Sequence, residues 1–282
     1  MKIEKSEKIA MRSSFPVSLL LFFSILIAPL LNGQVSVVGE LSQDRLVLQG
    51  TTYTGTIVIR NDTEFPQEAR IYQTDYTFHY SGTNSYGEPG LLPRSNANWI
   101  VFNPAFVTLP PRSSATVTYT VSVPADSIIT LSGTYWSMIM VEGIIPGSPE
   151  SSTPTPDKQE MGLAQTIRYG IQVATTIAET GTYNIRFVGA ELKRTENSDP
   201  VLLVDIENTG DLLMRPDVYV ELFDQSGISK GTFKAPTFRI YPGTSVRERM
   251  ILSGLGKGTF KALVAVDNGT DDIFAVEYTL EL

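Results

Sequence analysis

Thr116-Val117-Thr118-Tyr119-Thr120-Val121-Ser122-Val123 alternates a hydroxyl side chain with an apolar one at every step. Successive side chains of an extended strand point to opposite faces. This period of two therefore puts Val117, Tyr119, Val121 and Val123 on one face and the hydroxyls on the other, the pattern of a half-buried antiparallel strand. The same reading fits Tyr169, Ile171, Val173, Thr175 and Ile177, then Phe260, Ala262, Val264 and Val266, then Phe274, Val276, Tyr278, Leu280 and Leu282. No comparable stretch of helical period follows residue 33.

Turn chemistry separates these runs at Gln49-Gly50, Asn61-Asp62, Pro110-Pro111, Ser132-Gly133, Asn208-Thr209-Gly210, Ser226-Gly227, Pro242-Gly243 and Asn268-Gly269. About seven short strands per ~100 residues is the spacing of an immunoglobulin-like sandwich. The expected fold is all-β, with two immunoglobulin-like antiparallel β-sandwich domains in tandem over residues 35–178 and 179–282. Their junction at Glu179-Thr180-Gly181 is brief, so a close and fixed arrangement is expected. Two insertions interrupt the first set. Residues 81–98 read as a long polar loop, and residues 143–160 as another, whose Pro/Ser-rich part Pro146–Asp157 is expected to be disordered in the free protein.

At the other end of the chain, Lys2, Lys5, Lys8 and Arg12 precede an apolar stretch from Val17 to Leu31, and Leu31-Asn32-Gly33 offers a cleavage point. Ser24 and Pro29 interrupt the stretch, which is shorter than the roughly 20 apolar residues a bilayer requires. Residues 1–33 are therefore expected to be a cleaved signal peptide, and the mature form to carry no transmembrane anchor. There is no cysteine, which excludes disulfides and an acylated lipoprotein cysteine and leans towards a bacterial periplasm or cell surface. Of 22 basic and 30 acidic residues, the leader holds four and two, leaving a net charge of −10. Such a surface argues against nucleic acid, whose phosphates need Lys and Arg.

Common catalytic sets are missing. His79 is the sole histidine, sits among Tyr76, Phe78 and Tyr80, and has no nucleophile motif near it. Cys/His zinc sites are excluded by composition. Asp267, Gly269 and Asp271 lack the rest of a calcium loop, and Gly254, Gly256 and Gly258 lack the strand-to-helix setting of a phosphate loop, so both sets read as turns. No catalytic residue, metal or cofactor is expected. Tyr72, Tyr76, Phe78 and Tyr80 occupy alternate or near-alternate positions on one strand and read as sandwich packing or, alternatively, a sugar-stacking platform.

Arg45-Leu46-Val47-Leu48-Gln49-Gly50, Ile57-Val58-Ile59-Arg60-Asn61, Trp99–Pro104 leading to Leu109-Pro110-Pro111, Gly133-Thr134-Tyr135-Trp136 and the strand 167–177 follow one another in an order and spacing that resembles the N-terminal domain of PapD-like periplasmic pilus-assembly chaperones. The resemblance covers about 140 residues. It implies a basic pair between the domains that anchors a subunit's C-terminal carboxylate, and a last strand that lends its edge to the subunit. Arg45 falls at the first basic position; the second is occupied by Gln172, with Arg168 four residues earlier on the same face. Neutral Gln172 forfeits the charge-assisted part of such a contact. For the edge, Tyr169, Ile171 and Val173 are the strand-addition candidates, or else the inward face of the domain's own core. The run from Asp75 to Glu142 is also similar to peptidoglycan-binding-type envelope domains found beside WxL proteins, and the second domain looks like a generic adhesin-type sandwich.

The expected function is non-enzymatic binding at the envelope: a chaperone-like protein that holds a protein subunit by strand addition. The alternatives are a peptidoglycan- or glycan-binding module using the 81–98 loop, and a structural stalk.

Overall fold

The computed structural model describes residues 35–125, 130–145, 147–152, 166–194, 199–269 and 273–282. The expected signal peptide, and Pro146 and residues 153–157 of the expected disordered stretch, lie outside the described residues. The structure is all-β, in two sandwiches. In the first, one sheet has the order β1 (Ser36–Val38), β3 (Thr52–Arg60), β8 (Ser114–Ser122), β6 (Ile100–Asn103). Its partner has the order β2 (Ser42–Val47), β10 (Arg168–Ile177), β9 (Gly133–Ile144), β4 (Gln67–Phe78), β5 (Asn84–Gly87), with β7 (Phe106–Leu109) also on β4. In the second sandwich, β11 (Ile185–Lys193), β12 (Val201–Asn208) and β15 (Ser245–Ile251) face β14 (Ser229–Lys234), β13 (Asp217–Phe223), β16 (Thr259–Asp267) and β17 (Ile273–Glu281).

The strand that opens the sequence argument is β8, and its alternation is obeyed: Val117, Tyr119 and Val121 are buried with Ile57, Ile59, Ile71, Leu109, Ile139 and Val141 in the first core. Each such side chain contributes about 1.5–3 kcal/mol through the apolar surface it removes from water. Tyr119 lies opposite Gly55, and a Cβ at that position would collide with the Tyr119 ring. Glycine there makes room for the ring, whose hydroxyl donates to the Gln43 side chain and whose pKa is pushed up to about 12 by burial. The second core collects the alternating residues of β16 and β17, including Phe260, Ala262, Val264, Val266 and Leu280, against Leu202, Val204, Ile206 and Met250.

The two sandwiches share a corner. Asn61 follows the last residue of β3, and its side-chain amide donates to the carbonyls of Phe65, Leu109 and Pro110 at 2.8, 3.1 and 2.9 Å. Asn208 ends β12 and donates to Leu212 and Ile240, both at 2.8 Å. Each asparagine thus ties together the carbonyls of the turns and strand ends around it, which is why a turn residue is fully buried in both places.

Three expectations need correction. The sandwich is not purely antiparallel: β1 pairs antiparallel with β3, the chain crosses to the other sheet at Gly39 (φ 101°), Glu40 and Leu41, and β2 then runs parallel to β10. Continuing in one direction across the sandwich edge makes that pairing parallel. The 81–98 stretch is not a plain loop either, since residues 84–87 form β5 on β4. The fully buried Asp75 carboxylate then accepts the N–H groups of Gly90, Leu91 and Leu92 at 3.1, 2.9 and 2.8 Å, and the Ser95 hydroxyl. Residues 147–152 form turns held by Glu68, which accepts the Ser151 hydroxyl at 2.6 Å and the Ser152 N–H at 3.1 Å.

Candidate functional site

The last strand of the first sandwich, β10, is flanked by β9 along its whole length. On its other side β2 begins only at Gln172, whose N–H donates to Leu41 at 2.9 Å, and runs to Ala178, whose N–H donates to Val47 at 2.8 Å. Over Arg168–Ile171 that side has no strand among the described residues. Even-numbered residues direct their N–H and C=O towards β2, so the edge presents the backbone groups of Arg168 and Gly170.

The side chains alternate as the sequence predicts. Ile171 and Val173 are fully buried in the first core and Tyr169 packs against it. These three edge candidates therefore face inward, and the exposed element of the edge is its backbone. Gln172, Gly170 and Arg168 lie on the opposite, outward face.

The three anchor candidates are not brought to one place. Arg45 pairs in register with Thr175, so it shares the inward face of Gln43 and Val47, where its charge acts on the Tyr53 and Tyr119 hydroxyls. Gln172 is on the other face, and its Oε1 accepts a 2.7 Å hydrogen bond from the Tyr241 hydroxyl of the second sandwich. Arg168 shares Gln172's face about 13 Å along the strand, with its Nε on Glu142 Oε1 at 2.7 Å. Arg70 donates to Oε2 of the same carboxylate from Nε at 3.0 Å and Nη2 at 2.8 Å. Burial works against the Glu142 charge, but the hydrogen bonds from Arg168 and Arg70 prevail and hold its carboxyl below the usual range. Two guanidiniums share this one buried carboxylate, and Arg70 also meets the exposed Glu150 at 3.3 Å.

Beside Gln172, the residues Tyr241, Asp44, Arg215 and Arg239, which the sequence did not single out, join the sandwiches together with Phe78, Thr134 and Trp136. Trp136 stacks on Tyr241 with centroids 4.7 Å apart and planes 17° apart, and Phe78 meets Tyr241 edge-on at 6.2 Å. The fully buried Tyr241 has its hydroxyl pKa raised, chiefly by burial. Thr134 donates its N–H to Asp211 O at 2.8 Å and its hydroxyl oxygen accepts from Leu213 N–H at 2.9 Å. Asp44, next to Arg45 but facing outward, binds Arg215 and Arg239, the latter at 2.9 Å, while Arg94 binds Asp211. One signal was available in the sequence: Trp136 has the parity of the outward face, opposite to Ile139 and Val141, and a large aromatic there requires a cover.

The outward face carries the row Arg70, Tyr72, Thr74, Tyr76 and Phe78 of β4. Where the second sandwich does not cover it, Tyr72, Tyr86, Met138, Met140 and Gly170 line a recess of about 400 Å³, with Arg168 at one end. A recess of about 460 Å³ lies nearer the second sandwich, lined by Tyr76, Phe78, Tyr80, Gln172, Phe238 and Arg239 among others. Among the described residues no cluster of His, Cys, Asp and Glu suits a metal ion, and no helix is long and apolar enough to cross a membrane.

No family model and no curated protein matches the chain. It is similar to several solved structures. One belongs to a study of the chaperone–tip adhesin complex in CFA/I fimbriae biogenesis, with 13% identity over 87% of this chain and 97% of that one and a TM-score of 0.45. Another is the class 5 fimbriae chaperone CfaA, with 15% identity, 88% and 100% coverage and a TM-score of 0.44. A third comes from the CsuC–CsuE chaperone–tip adhesion subunit pre-assembly complex of archaic chaperone-usher Csu pili of Acinetobacter baumannii, with 9% identity, 86% and 97% coverage and a TM-score of 0.42.

Proposed function

We propose that this chain is an exported assembly chaperone of the PapD-like kind, which holds an extended segment of another protein as an added strand on β10. The observation that carries the reading is the interrupted ladder: β2 covers β10 from Gln172 onward, and the backbone groups of Arg168 and Gly170 are left without a strand partner among the described residues. Unpaired edge groups are a template for another chain, and main-chain hydrogen bonds to such an edge give affinity. The early crossing of the first strand from one sheet to the other creates that gap. Contacts around Tyr241 and Asp44 hold the second sandwich against the face beside it, which supports a shaped cradle rather than a swinging pair.

The test is photo-crosslinking in the cells that make the protein. A photoreactive residue replaces Leu41, which is 44% exposed and adjoins the start of the gap, and, as a control, Leu263 on β16, which is 40% exposed. A discrete protein adduct from position 41 and none from position 263 is expected. Absence of an adduct at 41, with co-sedimentation on purified peptidoglycan, would favour the wall-binding alternative and sink this reading.

A further inference from the structure

The edge of β10 that lacks a strand neighbour among the described residues has a chemically distinctive outward side, and this bears on what it can hold. Gly170 is a residue whose backbone has no strand partner there among the described residues, and it has no side chain to cover the recess beside it. A Cβ at Gly170 would lie 3.0 Å from Met138 Sδ and 3.3 Å from Met140 Sδ. Glycine therefore leaves open a pocket of about 400 Å³ walled by two thioethers and the Tyr72 and Tyr86 rings. Thioether side chains are flexible and polarisable, so they adapt to varied apolar shapes.

Two residues along the same face stands Arg168. Its Nε is taken by Glu142, its side chain is 60% exposed, and the Glu142 carboxylate is shared with Arg70. Glu142 and Glu150 together balance the two guanidiniums, so the group is neutral, and its exposed cation is the Arg168 guanidinium, held through Nε by Glu142; Arg70, Tyr72 and Arg168 together line a second recess that adjoins the first.

We infer that the segment added to β10 carries a large apolar side chain opposite Gly170 and an acidic side chain opposite Arg168. Cross-strand neighbours on one face interact directly, and residues two apart on a strand share that face. The recognised element is thus an extended apolar–any–acidic triplet, read in whichever direction the segment runs. The apolar side chain fills the space that Gly170 leaves, and the carboxylate meets the exposed Arg168 guanidinium. Backbone pairing supplies affinity and these two positions supply selectivity. The inference rests on strand addition at β10, which the Proposed function states.

The test uses the full chain and three synthetic peptides with blocked ends: Thr-Val-Phe-Thr-Asp-Val-Thr, the same with Phe replaced by Ser, and the same with Asp replaced by Lys. Nuclear magnetic resonance reads two things separately: exchange protection of the Arg168 and Gly170 amides, and the affinity from chemical-shift titration. The parent peptide is expected to protect both amides. Loss of Phe weakens binding about tenfold or more, as expected for one large apolar side chain. The Asp-to-Lys change weakens it about two- to fivefold, as expected for a cross-strand charge pair. Arg168→Glu reverses the order of the Asp and Lys peptides, and Gly170→Leu removes the advantage of Phe over Ser.

Equal protection and equal affinity for all three peptides overturns the inference and leaves strand addition standing. Absence of protection with every peptide overturns strand addition itself. Since Arg168→Glu could disturb Glu142, the Arg168→Gln variant is run beside it: loss of the Asp preference with retained Phe preference supports the assignment, and loss of neither overturns the acidic half of it.

Discussion

Glu248 offers a sharp test of the second sandwich. It lies on β15 with the inward parity of Met250, is fully buried, and neither carboxylate oxygen has a hydrogen-bond partner among the described residues. Burial alone raises its pKa from 4.5 to about 7. The folded chain therefore keeps a proton that the unfolded chain releases from about pH 4.5 upward. Between 4.5 and 7 the unfolded state binds fewer protons, so stability falls as pH rises, and above 7 the loss levels off. At about 1.36 kcal/mol per pH unit, the window from 4.5 to about 7 makes the loss about 3 kcal/mol. Glu248→Gln keeps the shape and removes the titration. Urea unfolding followed by circular dichroism at pH 5, 6, 7 and 8 is the assay. At pH 5 the two proteins are expected within about 1 kcal/mol of each other, and at pH 8 the variant leads by about 3. Parallel pH profiles for the two would refute the reasoning, because they would mean that the carboxyl does not titrate from a desolvated position.

Tyr241→Phe removes one hydrogen bond to Gln172 and is expected to cost about 1 kcal/mol, whereas Tyr241→Ala empties the space against Trp136 and costs about 3–5; a red shift of tryptophan emission accompanies only the second. Gly133→Ala forces φ 73° on a residue with a Cβ and drives that Cβ against the Asp211 carbonyl, so a loss of at least about 2 kcal/mol is expected in thermal unfolding. Asp75→Ala leaves the N–H groups of Gly90, Leu91 and Leu92 without their acceptor. Amide exchange at those three residues is expected to accelerate while that of Ile139 in the core is unchanged.

The strands were legible because a half-buried sheet imposes a period of two, and β8, β10, β16 and β17 obey it. The two cores could be read in the same way, since parity decides burial and Val117, Ile171 and Val264 follow parity. The site was less legible. Gln172 and Arg168 are on one face of β10, as counting by twos predicts, but the same counting along β2 cannot place Arg45. That requires the register between β2 and β10, which sets Arg45 opposite Thr175, exposed at the edge of the inward face, while its neighbour Asp44 turns to the second sandwich. A shift of one residue would have exchanged the two.

Asp75 and Glu68 show a related gap. Each reads as an ordinary strand acid, and each is buried because a distant loop brings backbone or hydroxyl donors to it. Such partners are 15 to 84 residues away in the chain, and local pattern carries no trace of them.

The sequence by itself determined that this protein is built of strands, which side chains those strands bury, and that cysteine-ligated zinc sites and disulfides are excluded, because periodicity and composition are local quantities. Only the tertiary structure decided where a strand lacks a neighbour, which charges are already neutralised and what covers Trp136. Those depend on register and on contacts between distant segments, which satisfy or leave open the same hydrogen bonds and charges that every strand brings.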